Sequence, residues 1–249
     1  MPQPDIAPPA GGFKVDHIVI RTPVRDAVVA MAADACGLPE LDGFAEGGDL
    51  HSRGVRFAGG PFLDVFTSDT PSVALILRGA MDEAEQLAAA QGWAARILRR
   101  EETPQGQPAF PWSMVLFRRG QGLLTQISVI DYDPAPAAWA SADFHRPLYP
   151  IQAPPQAGAR LARVWMGAAD MARAANDLEA LGYRPTDAVR SAFWPHGGRR
   201  FQGLGTSLIL FHGVDGLLRF DVTTGAGAAR AIPLPGGPVM VVDEPALAG

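Results

Sequence analysis

Two side chains in this sequence stand out for the chemistry they can do. His17 interrupts the apolar run Val15-Asp16-His17-Ile18-Val19-Ile20, and Asp64 interrupts Phe62-Leu63-Asp64-Val65-Phe66. A buried, unpaired carboxylate is costly, so Asp64 must face a cleft, a cation or solvent. His17 is either a core histidine satisfied by one hydrogen bond or a ligand. A further cluster, Phe193-Trp194-Pro195-His196 followed by Arg199-Arg200, joins aromatic, imidazole and guanidinium groups. It suits an anionic or aromatic ligand, or else marks a solvated strand end. Trp112 and Trp165 stand at strand positions, where core packing competes with ligand contact. The lone cysteine, Cys36, has no base beside it and reads as a small buried hydrophobe. No phosphate-loop sequence and no GxSxG elbow occurs, and the pairs Gly59-Gly60 and Gly197-Gly198 make neither.

Composition narrows the classes. The chain has 249 residues, 47% hydrophobic and 19% charged, which suits one large domain or two small ones with a real core. A net charge of -5 argues against nucleic acid and membrane surfaces as partners, because phosphate would be repelled. One cysteine makes no internal disulfide, so nothing demands an oxidising compartment. Residues 1–12 carry neither a basic cluster nor an apolar core and read as a flexible lead rather than a secretory signal. No apolar run nears the ~20 residues that span a bilayer. The cytoplasm is the expected location.

The elements that must position these residues repeat. A β-branched strand around His17 leads to a helix from Val24 to Ala35, with Thr22 as a cap and Pro23 in the first turn. Strands around Arg56 and Asp64 follow. The same order returns with a strand at 72–77, a helix from Met81 to Ala90 that opens on acids, and strands at 95–99, 112–118 and 124–130. It returns again with a strand at 161–166, a helix capped by Asp170, and strands near 188–192, 199–204 and 207–211. Gly37, Gly92 and Gly182 end the helices 20, 18 and 19 residues beyond His17, Ala74 and Arg163. The tail holds three more strands and no helix, so it reads as a truncated fourth unit. The predicted class is α+β, with curved mixed sheets of βαβββ units and helices on the outer face. The expected division is 13–133 for the first pair of units, a proline-rich crossover or lid at 134–159, and 160–249 for the third and fourth. Paired units leave a concave sheet face that is a natural cleft.

The stretch Asp16-His17-Ile18-Val19-Ile20, the helix after Pro23 and the hairpin from Arg56-Phe57 to Leu63-Asp64-Val65 resemble the vicinal-oxygen-chelate superfamily, and within it the glyoxalase-like domain proteins. That resemblance implies a divalent metal held by first-strand and last-strand residues of paired units. Carried onto this sequence, the ligands are His17, Asp64 and Gln126, with Ala74 standing where a fourth would be. One imidazole, one carboxylate and one amide are poor for zinc but suit a hard divalent ion with waters. Arg163 and the acid-free strand Leu208-Ile209-Leu210 give the third unit no second centre. The resemblance also implies ligand contacts from His51 and the crossover residue His145, each of which is otherwise a loop histidine, and Arg56 and Trp112 are further candidate substrate contacts. Two function classes follow. One is a metal-dependent lyase, isomerase or dioxygenase acting on a small molecule. The other is a metal-free protein that binds or sequesters a small molecule, favoured by Ala74. A homodimer is a further expectation, since exposed sheet edges invite pairing.

Overall fold

The computed structural model describes residues 12–43, 45–46, 49–99, 112–117, 122–132, 155, 157–225, 227–245 and 247. His145 and most of the expected crossover lie outside the described residues, and so does the side chain of His196.

Unit one runs β1 (Lys14–Thr22), α1 (Arg25–Cys36), β2 (Leu41–Asp42), a small hairpin of β3 (Ala45–Glu46) and β4 (Asp49–Leu50), then β5 (Ser52–Arg56) and β6 (Phe62–Thr67). Unit two is β7 (Ser72–Arg78), α2 (Met81–Gln91), β8 (Ala95–Leu98), β9 (Ser113–Phe117) and β10 (Ile127–Asp131). Unit three is β11 (Arg160–Ala168), α3 (Met171–Ala180), β12 (Arg184–Ser191), β13 (Trp194–Gln202) and β14 (Ser207–His212). The fourth, helix-free unit is β15 (Gly216–Thr223), β16 (Arg230–Pro233) and β17 (Val239–Val242). The expected βαβββ repeat is therefore present.

Each pair of units makes one sheet. The first has the order β2-β5-β6-β1-β7-β10-β9-β8, the second β12-β13-β14-β11-β15-β17-β16. In the first sheet β1 and β7 run antiparallel at the centre, each parallel to the last strand of its own unit. The second sheet repeats this with β11 and β15. Strand alternation sorts the side chains. Ile18, Ile20, Leu63, Val65, Leu75, Leu77, Ile127 and Val129 face the helices and join a core that includes residues of both sheets. α1 contributes Val28, Val29, Ala32 and Ala33 to that core.

α1 packs on β17 as well as on β5 and β6. Cys36 Sγ lies 4.0 Å from Met240 Sδ, and Arg230 donates to the Ala35 carbonyl at 3.0 Å. The first helix thus covers apolar surface for which the fourth unit supplies no helix of its own.

Local chemistry explains the helix ends. Gly37 (φ 61) and Gly92 (φ 66) close α1 and α2 in the left-handed conformation that other residues adopt only with strain. Asp170 caps α3 by accepting from the Arg173 N–H at 3.0 Å. Thr22 departs from its expected capping role. α1 begins after Val24 with no side-chain cap, and the Thr22 hydroxyl donates instead to the Pro235 carbonyl at 3.1 Å. A second departure concerns the strand expected from Leu124. Residues Gly122–Gln126 form a 3-10 turn, tightened by the Thr125 hydroxyl donating to the Gly122 carbonyl at 2.9 Å, and β10 begins only at Ile127.

Candidate functional site

The concave face of the first sheet carries a cavity of about 370 Å³. The inward positions of the central strands build it: His17, Val19 and Arg21 on β1, Phe62, Asp64 and Phe66 on β6, Ala74 and Ile76 on β7, and Ser128 and Ile130 on β10. Tyr132, just beyond β10, and Trp112, just before β9, complete one wall with Met114 and Leu116. Register brings the two expected residues together: His17 lies beside Phe62, and Val19 beside Asp64, across the parallel β1–β6 pair.

A bulge between Val15 and His17 shifts the register of β1 against β7. Bulges let neighbouring residues share a face. Here they bring Asp16 Oδ2 within 2.7 Å of His17 Nδ1. The same oxygen accepts from the Tyr132 hydroxyl at 2.6 Å. The His17 ring lies stacked on Phe62, with centroids 4.4 Å apart and planes 11° from parallel. A carboxylate, an imidazole and a phenol therefore form one chain at the cavity end.

Asp64 is buried, and its Oδ1 has no hydrogen-bond partner. Burial pushes its carboxyl from 3.8 up to about 6, against the pull of His17, a hydrogen bond from Ser52 and the charge of Arg21. The Tyr132 phenol is held well above its usual range by burial and by the charge of Asp16. Arg56 is buried on β5, and burial lowers its pKa while Asp16 and Tyr132 favour its charge. Two further guanidinium groups stand over aromatic rings: Arg78 is 5.1 Å from the Tyr132 ring centre and Arg21 is 5.0 Å from that of Phe66.

The expected substrate contacts divide. Trp112 lines the cavity. Arg56 is buried and acts electrostatically on the Asp16–Tyr132 end, though it does not line the cavity. His51 is exposed, directly before β5, and is not a lining residue. His145 lies outside the described residues.

The metal set fares less well. His17 and Asp64 share the cavity, but Gln126 ends the 3-10 turn and is not a lining residue. Its side chain lies 3.9 Å from where a Cβ on Gly216 would stand, against the second sheet. The last-strand position that faces the cavity is Ser128, which pairs with Ile76 as Asp64 pairs with Val19. Ala74 lines the cavity and offers no donor. His17 already has one ring nitrogen committed to Asp16. Among the described residues no three His, Cys, Asp or Glu side chains are grouped to hold an ion. An imidazole, a carboxylate and a serine hydroxyl are too few strong donors for a tight divalent site. The described donors do not fit the metal that the resemblance implies.

Sequence reading overlooked three residues here. Asp16 adjoins His17, and its role depends on the bulge. Ser128 and Tyr132 continue the two-residue period of the last strand, a signal that was present once the start of β10 was known.

No family model matches the sequence, and no curated protein matches it. Solved structures do resemble it. A hypothetical protein from Staphylococcus aureus superposes with a TM-score of 0.62 at 7% identity, over 93% of this chain and 98% of its own. A variant of homoprotocatechuate 2,3-dioxygenase from B. fuscum, in complex with HPCA, superposes with a TM-score of 0.63 at 14% identity, over 99% of this chain and 74% of its own. The room-temperature structure of an extradiol ring-cleaving dioxygenase from B. fuscum gives 0.63 at 14%, over 99% and 75%. The chain has the fold of these dioxygenases, which is the fold that the resemblance to the vicinal-oxygen-chelate superfamily implies.

Proposed function

We propose that this protein binds a small, largely apolar or aromatic molecule in the cavity of the first sheet without a metal, as a sequestering protein of the glyoxalase-like group does. The observation that carries this reading is the buried Asp64 Oδ1, unpartnered beside an aromatic and aliphatic wall. A carboxylate left so costs folding free energy, and a ligand that donates a hydrogen bond to it recovers part of that cost. Phe62, Phe66 and Trp112 supply stacking surface for a ring. The volume is that of a small ligand pocket.

A second reading is favoured by the burial of Asp64 at the cavity wall, which raises its carboxyl. A carboxyl titrating at about 6 is poised to take a proton near neutral pH. In that case Asp64 is a general base, and the protein is a metal-independent lyase or isomerase of the bound molecule. The metal-dependent form of these activities draws support from the fold alone.

The test is a thermal-shift screen of phenols, aromatic amines and apolar ring compounds, with and without a chelator. Hits that stabilise the protein equally in both conditions, and lose their effect in Asp64→Ala, support the proposal. Stoichiometric divalent metal in protein purified without a polyhistidine tag, absent from folded His17→Ala, would overturn the metal-free reading. Turnover of a hit that is lost in Asp64→Asn would select the general-base form.

A further inference from the structure

The second sheet repeats the geometry of the first, yet its concave face is filled. β11 carries a bulge between Leu161 and Arg163, as β1 does between Val15 and His17. Arg163 therefore corresponds to His17. The cross-strand pair Trp165 and Arg219 corresponds to Val19 and Ala74. Ile209, beside Trp165 on β14, corresponds to Asp64. Two guanidinium groups thus stand where the first cavity has an imidazole and a methyl group.

Glu244 and Leu247, beyond β17, occupy the matching space. Glu244 is buried, and both of its carboxylate oxygens are engaged. Oε1 accepts from the Ser191 hydroxyl and from the Ala192 N–H at 3.2 Å. Oε2 pairs with Arg219 and lies 3.8 Å from Arg163 Nη2. Asp221 completes the cluster, meeting Arg219 Nε at 2.6 Å, Arg163 Nε at 2.6 Å and the Trp165 indole N–H at 2.9 Å. Beside this polar half lies an apolar one of Trp165, Val189, Ile209 and Phe211, with Leu247 and Trp194 packed on it. Asp243, the residue that turns the chain toward Glu244, is the one non-glycine at positive φ among the described residues (φ 52). Hydrogen bonds from the Thr224 and Gly225 N–H groups to its carboxylate, at 2.6 and 3.0 Å, hold that conformation.

Glu244 balances the charge of this cluster. With it, two guanidinium groups face two carboxylates. Without it, Arg163 and Arg219 face Asp221 alone, and a buried cationic charge is uncompensated. A hydroxyl, a backbone N–H and two guanidinium groups converge on one carboxylate with an apolar wall beside it. Glu244 and Leu247 sit on these groups as a ligand with an acid head and an apolar body would.

We infer that the concave face of the second sheet is a binding site for a small monocarboxylate with an apolar body, held closed by the chain's own Glu244 and Leu247. The recognition is of a planar anion, so the neutral amide of the same shape is excluded. In the intact protein the segment competes with any such ligand.

The double variant Glu244→Ala/Leu247→Ala tests this, with benzoate as the probe and benzamide as its neutral counterpart. The variant melts below the parent, and benzoate raises its melting temperature in a saturable manner with one site by calorimetry. The parent responds at least tenfold more weakly to benzoate, and benzamide shifts the double variant no more than it shifts the parent, whose first cavity is the same. Adding Arg163→Leu to the double variant abolishes the benzoate effect. A gain in benzamide response over the parent equal to the gain in benzoate response, no response to benzoate, or benzoate binding that survives Arg163→Leu and so belongs to the first cavity, each overturns the inference. If the double variant is recovered unfolded, the refolding yield with benzoate against benzamide decides the same question.

Discussion

The hydroxyl of Tyr132 reaches the Oδ2 of Asp16 at 2.6 Å across 116 residues of chain. This bond ties the first strand of unit one to the end of unit two, beside the cavity that Tyr132 and His17 line. It also fixes Asp16 so that His17 Nδ1 has a partner at 2.7 Å.

Removing that hydroxyl tests its worth. Tyr132→Phe keeps the ring and its contact with Arg78 but leaves Asp16 with one donor fewer. Hydrogen bonds to charged groups contribute about 1.5–3 kcal/mol, so the variant should lose about 2 kcal/mol in urea unfolding. A loss below about 0.5 kcal/mol would mean that water replaces the phenol freely.

Asp64 should make stability fall with rising pH. Its carboxyl is raised in the folded protein to about 6 from 3.8, so the folded state holds the proton more tightly than the unfolded one. Stability is greatest below about pH 4 as far as this group is concerned, and is lost as pH rises through about 6. The full penalty is at most about 3 kcal/mol. Asp64→Asn should therefore match the parent near pH 4 and exceed it by about 2 kcal/mol at pH 8. Parallel stability curves for the two proteins would show that the carboxylate is solvated or paired.

Arg219 should be among the least replaceable residues. Its side chain is 0% exposed and bonds Asp221, Ser191 and Glu244. Arg219→Met leaves two buried carboxylates facing Arg163 alone, which costs about 3–5 kcal/mol. A quadruple change of Arg163, Arg219, Asp221 and Glu244 to apolar residues of similar size, which leaves no unpaired charge, should recover much of that loss in denaturant titrations. If the single variant is as stable as the parent, the cluster is not sealed from water.

Cys36 should be inert in the native protein. It is buried, and burial pushes its thiol up to about 12. Iodoacetamide at pH 8 should leave it unmodified by mass spectrometry until denaturant is added. Rapid labelling of the folded protein would show that α1 opens from β17.

The repeat was legible in sequence because it is local. Apolar alternation, a helix of about three turns and a glycine stop recur within each unit, and each is set by neighbours in the chain. His17 and Asp64 were legible for the same reason, since a polar group inside an apolar run must face something other than core. The tertiary structure alone decided the rest. A 3-10 turn, held by a threonine hydroxyl, moved the cavity position from Gln126 to Ser128. A bulge turned Asp16 onto the face of its neighbour and toward a tyrosine at the far end of the second unit. Two faces of one architecture came out as an open cavity and a filled one, because Glu244 and Leu247, far along the chain from Arg163, come to lie on the second face. Burial, charge balance and contacts between distant strands are properties of the assembled sheets, and a chain read residue by residue does not contain them.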